Sequence, residues 1–92
     1  MPNAILSRVG EQAVGIDLPE RMKSFDEVYK LIDTDMVEVL YLPNNLIMLL
    51  DENGKILGKP VNAFATYVAA DTIRPDDVIV GDVVICPRKF LV

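Results

Sequence analysis

Residues 44–62 read NNLIMLLDENGKILGKPVN. Five apolar residues, Leu46 to Leu50, run into Asp51-Glu52-Asn53-Gly54-Lys55, and Ile56-Leu57-Gly58-Lys59-Pro60 leads away. Asn-Gly between two apolar runs is a strong local hairpin signal, because both residues tolerate the positive φ of a type I′ turn. The stretch therefore predicts the central hairpin of a small sheet, turning at Asn53-Gly54. Leu46 to Leu50 shows no alternation, and a strand apolar on both faces must be covered on both. One cover can be a helix. The other is expected to be a second copy of the protein, which makes Leu46, Ile47, Met48, Leu49 and Leu50 candidate interface residues of a homodimer or higher oligomer. Cover by a second helix is the alternative.

The flanking chain supplies the rest of the sheet. Asn3 to Val9 reads as a first strand. Gln12 to Leu18 alternates, with Val14, Ile16 and Leu18 on one face, and reads as a second. Ser24-Phe25-Asp26-Glu27 has the form of a capping box, and Phe25, Val28, Leu31 and Ile32 fall on one stripe, which predicts an amphipathic helix over 24–33. Met36 to Leu42 is the next strand, turned by Pro43-Asn44-Asn45. Beyond the quoted stretch, Asn62 is a favourable N-cap for a short helix over 63–70, against a weaker extended reading. Val83 to Cys86, after a tight turn at Gly81, closes the fold. The tail, 88–92, begins basic and ends apolar, and is expected to fray or to dock on a neighbour. The order is β-β-α-β-β-β-(α)-β. It is an α+β class with about five or six mainly antiparallel strands, the helices on one side, in a single domain, 1–92.

Composition narrows function by exclusion. Nine basic and 14 acidic residues give a formal charge of −5, which disfavours binding to phosphate backbones. The chain has no histidine and one cysteine, Cys86, in a buried-looking strand. A small core residue is the expected role there, since a nucleophile would lack its usual base. The N-terminus has no secretory pattern, and no apolar run is long enough to span a membrane. There is no phosphate loop, no Ser-His-Asp or Cys-His set, and nothing implies a cofactor. Glu38 sits on an otherwise apolar strand face. It is an exposed strand end, a partner for Lys55, Lys59 or Arg88, or a ligand-contacting carboxylate.

Several short motifs recur in a recognisable order. They are Val37-Glu38-Val39, the apolar strand Leu46 to Leu50, Asp51-Glu52-Asn53-Gly54-Lys55, Lys59-Pro60-Val61-Asn62, and Ile79-Val80-Gly81-Asp82-Val83-Val84-Ile85. In these the chain from Met36 onward, with the preceding helix, resembles DUF3846, a family of domains of unknown function. One departure is that the family often places basic residues after the asparagine, where this chain has Ala63-Phe64-Ala65. The resemblance implies small proteins of phages, plasmids and other mobile elements, working inside the cytoplasm of a bacterial host. It implies a setting more than an activity, and such a protein is expected to work by binding rather than catalysis. A host or phage protein is the expected partner. A sponge for a small nucleotide-type signalling ligand is the alternative, with Asn62, Tyr67, Lys59, Glu38, Arg74 and Arg88 as candidate contacts. A carboxylate-held metal enzyme is third. Glu38 and Asn62 are expected on one side of the sheet.

Overall fold

The computed structural model describes residues 1–91. It forms a five-stranded antiparallel sheet and two helices: β1 (Ala4–Ser7), β2 (Val14–Ile16), α1 (Asp26–Ile32), β3 (Val37–Leu42), β4 (Leu46–Asp51), α2 (Ala63–Val68) and β5 (Val83–Pro87). The strand order is β2-β1-β5-β4-β3. The α+β class and the mainly antiparallel sheet are as expected, but the central pairing is not.

Asn53-Gly54 does not make the hairpin. Neither residue has positive φ, and 52–58 is a run of turns rather than a strand entry. The hairpin lies one strand earlier, where β3 pairs with β4 from Val37↔Asp51 to Leu42↔Leu46. Its tip is Asn44-Asn45, with φ of 65° and 60°. Asparagine tolerates that region better than other non-glycine residues do. The place expected for a third strand after Asn53-Gly54 is taken by β5, which pairs with β4 through Ile47↔Cys86 and Met48↔Ile85.

The 51–59 segment winds instead into successive turns. The Asn53 N–H donates to Asp51 Oδ1 at 2.9 Å, Leu57 N–H to the Asn53 carbonyl at 2.9 Å and Lys59 N–H to the Gly54 carbonyl at 2.9 Å. An aspartate whose side chain captures the N–H two residues on is a standard way to start a turn. Gly54 is required here for close approach. A Cβ would stand 2.9 Å from Val80 Cγ2. Gly54→Ala is expected to cost about 1–3 kcal/mol by overpacking. Shortening the opposing side chain in Gly54→Ala/Val80→Ala should recover part of it in urea unfolding. A conformational cost, as in a type I′ turn, would not respond to residue 80.

The core has two halves, one on each face of the sheet. On one, Val28 and Ile32 of α1 pack with Ala4, Leu6, Ile47, Leu49, Val84 and Cys86. On the other, Ala65 and Ala69 pack with Met48, Leu50, Val83 and Ile85. The helices therefore lie on opposite faces, not on one side. Ile47, Met48, Leu49 and Leu50 are all buried within one chain, with Leu46 half-buried. The second helix supplies the cover expected from a second copy, so these residues are core rather than interface. Burial of such side chains stabilises the fold by about 1.5–3 kcal/mol each.

Two end effects also differ. The capping box does not form: α1 begins at Asp26 with Phe25 as N-cap and no side-chain cap. Ser24 Oγ reaches only the Asp26 N–H, at 3.5 Å. The segment expected to be a tail docks on its own chain. Arg88–Phe90 is a 3₁₀ turn, Phe90 is 2 % exposed, and Met22 N–H donates to the Phe90 carbonyl at 2.8 Å.

Candidate functional site

The six candidate ligand contacts do not converge. Asn62 is 2 % exposed, and its amide is saturated. Its Oδ1 accepts from the Ala65 N–H at 2.9 Å, the cap of α2, and from the Ser7 hydroxyl at 3.3 Å. Of the two hydrogens on Nδ2, one donates to the Gly81 carbonyl at 3.0 Å and the other is shared between the Ser7 carbonyl and hydroxyl, each at 3.2 Å. One side chain thus ties α2 to β1 and to the turn before β5. It has nothing left for a ligand.

Lys59 is a second fastener. Its Nζ lies 2.7 Å from Asp51 Oδ2, which is otherwise without a hydrogen-bond partner, and donates to the Asp33 carbonyl at 2.6 Å. Asp33 ends α1 in the left-handed conformation, φ 55°. A cation at the carbonyl end of a helix is electrostatically favourable. Burial pushes the Asp51 carboxyl up, but the Lys59 ammonium and the Asn53 N–H pull it down further, so it stands below its ordinary value. Gly81, φ 78°, lets the Lys59 stem pass, since a Cβ there would meet Lys59 Cδ at 3.0 Å. Asp82 accepts from the Val9 N–H at 2.9 Å.

The remaining four are at the surface. Glu38 is exposed at the start of β3, with no ion pair among the described residues. It borders a cleft of about 130 Å³ lined also by Leu40, Leu50, Lys55, Ile73 and Asp77. Lys55 pairs with Asp77, and that ammonium holds the Asp77 carboxyl below its ordinary value. Arg74 is exposed, 3.8 Å from Asp76. Arg88 stands by the β3–β4 hairpin. Tyr67 is 82 % exposed on α2. Glu38 does share a sheet face with Asn62, since its cross-strand partner Leu50 belongs to the α2-side core and Asn62 contacts Ser7, opposite Val83 of that core. But β5 and β4 intervene, and Asn62 is sealed, so the two share no site.

The feature not foreseen is the outward face of α2. The helix turns its small residues, Ala65 and Ala69, to the sheet at 0 % exposure, while Phe64 and Tyr67 are 42 % and 82 % exposed. Val61, three residues before Phe64, is also exposed. The spacing of three places Phe64 and Tyr67 on one side of the helix. Residues 61–70 hold no charged side chain at all. Ile56 and Leu57 extend the exposed apolar stretch in sequence. The signal that could have shown this orientation is Ala65 and Ala69 at i and i+4, a small-residue stripe that lets a helix approach a sheet closely.

Among the described residues no three acidic or sulfur side chains converge to hold a metal ion, and no helix is long and apolar enough to cross a membrane. Cys86 is buried, and burial pushes its thiol up to about 11. At pH 8 a disulfide reagent is expected to modify Cys86 no faster than the protein opens, with full reactivity in denaturant; prompt stoichiometric reaction of the native chain would contradict the burial.

Neither a curated protein nor a solved structure matches this chain. A family model does, over residues 2–89. Its match reaches well before Met36, into the β1–β2 hairpin and α1. Within it lie the Asp51 turn, Lys59 at the end of α1, Asn62 between helix and sheet, and the Gly81-Asp82 turn. They are fasteners of one fold, and the chain belongs to the DUF3846 family, a domain of unknown function.

Proposed function

We propose that this protein works by binding another protein through the outward face of α2, without catalysing a reaction. The observation that carries this reading is the uncharged stretch 61–70 with Phe64 and Tyr67 exposed, in a chain of net charge −5. Large aromatic side chains standing clear of the core are typical anchors of protein interfaces, and contiguous exposed apolar surface marks such sites. A small ligand needs concavity, and neither Phe64 nor Tyr67 borders any of the clefts described. In the phage or mobile-element setting that the family resemblance implies, the partner is a protein of the bacterial host, met in the cytoplasm.

The test uses charge on that face. Phe64→Glu/Tyr67→Glu should leave the melting temperature nearly unchanged, since exposed substitutions usually move stability by within about 0.5 kcal/mol each. Affinity capture from host lysate should recover a discrete protein with the wild-type chain and lose it with the double variant. Identical captures from both would overturn the reading. Light scattering on the purified chain separates a second copy from a different partner. A dimer that the double variant dissolves would make self-association the use of this face.

A further inference from the structure

Arg88 and Lys89 are adjacent cations in a chain with five more acidic than basic residues. With Asn44, Asn45, Leu46 and Pro87 they line a cleft of about 680 Å³, within the ordinary range for small-molecule sites. No carboxylate lines it, and among the described residues neither cation is ion-paired. The walls are held in place. The Arg88 N–H donates to the Asn45 carbonyl at 2.8 Å, which ties the 3₁₀ turn to the hairpin tip. The Arg88 guanidinium stacks over Tyr41, with its carbon 4.9 Å from the ring centroid. This cation–π contact restrains the guanidinium before any ligand arrives, which lowers the entropy cost of binding. Asn44 and Asn45, both exposed at the tip, add amide donors.

We infer that this cleft binds the phosphate group of a phosphorylated small molecule, through Arg88 and Lys89 with the Asn44 and Asn45 amides beside them. A planar guanidinium takes two phosphate oxygens at once, an ammonium adds a point charge, and amides complete the donor set. Leu46 and Pro87 provide an apolar wall for the rest of the molecule. The site lies at the hairpin end of the β4–β5 pair and is independent of the α2 face.

The probe is pyrophosphate, titrated into the full chain at low salt while backbone amide resonances are followed. Saturating shifts are expected at Asn44, Asn45, Leu46, Arg88 and Lys89, and they should weaken steeply with added salt. Arg88→Gln/Lys89→Gln keeps the backbone bond to Asn45 and should raise the dissociation constant at least tenfold, with the rest of the spectrum unchanged. Phe64→Glu/Tyr67→Glu should bind pyrophosphate as the wild type does. No saturating shift at millimolar pyrophosphate, or an equal response in the Arg88→Gln/Lys89→Gln variant, overturns the proposal.

Discussion

Asn62→Ala is expected to cost about 3–5 kcal/mol. The sum has two parts. Loss of an N-cap costs about 1 kcal/mol. Each buried partner left unsatisfied costs about 1–3 kcal/mol, and here the Gly81 carbonyl and the Ser7 groups lose their donor together. A domain of this size has only about 5–15 kcal/mol to lose. The melting temperature should fall by roughly 4–8 °C for each kcal/mol. Asn62→Asp is the sharper variant. It keeps the acceptor for the Ala65 N–H but turns an oxygen toward the Ser7 and Gly81 carbonyls in place of a donor. It should be as destabilised as Asn62→Ala at pH 7, and should regain stability on acidification as the buried carboxyl takes a proton. Urea unfolding at pH 5 and 7 reads both. A loss under 1 kcal/mol in either variant would mean that Asn62 is not a fastener.

Lys59→Met is expected to cost about 3–5 kcal/mol, the usual penalty for stranding one member of a buried ion pair. Asp51 Oδ2 would then have no partner. Most of that loss should return in Asp51→Asn/Lys59→Met, because the double variant carries no stranded charge. The pH dependence gives an independent sign. In the native chain Asp51 stands below its ordinary value, so its contribution is present above the ordinary carboxylate range and is lost as pH falls through the lowered native value. In Lys59→Met burial and the Asn53 N–H remain while the cation is gone, so the Asp51 carboxyl rises from its lowered native position. That variant should therefore lose less stability than the wild type as pH falls from 7 toward the ordinary range. A shallower slope of stability against pH over roughly pH 4–6 is the expected result. Parallel slopes would show that Lys59 does not set the state of Asp51.

The elements were legible where local chemistry decides them. Asn62 as N-cap, the closing strand after Gly81 and the amphipathic stripe of α1 all follow from residues close in sequence. The pairing was not legible, because it is set at long range. β4 takes β5 as its second neighbour, and β5 begins 32 residues after Asp51. Both Asn44-Asn45 and Asn53-Gly54 read as turns, and only Asn44-Asn45 makes a hairpin, without the glycine that usually signals one. The doubly apolar run Leu46 to Leu50 correctly demanded two covers. Whether the second was this chain's own helix or another copy depended on which face α2 turns inward, and that is decided by packing against the sheet. For the site the lesson is sharper. Asn62 and Lys59 stood out as the ends of Lys59-Pro60-Val61-Asn62, and the fold uses both for its own hydrogen bonds. Tyr67 and Phe64 stand outside that motif and are the side chains left exposed.

The most direct test of binding through α2 is site-specific photo-crosslinking in living cells that express the protein. A benzophenone side chain would be placed in turn at Phe64, Tyr67 and, on the α1 side of the molecule, Glu27. The account predicts one discrete adduct from positions 64 and 67 and none from 27. Adducts from 27 alone, or the same diffuse background from all three, would contradict it.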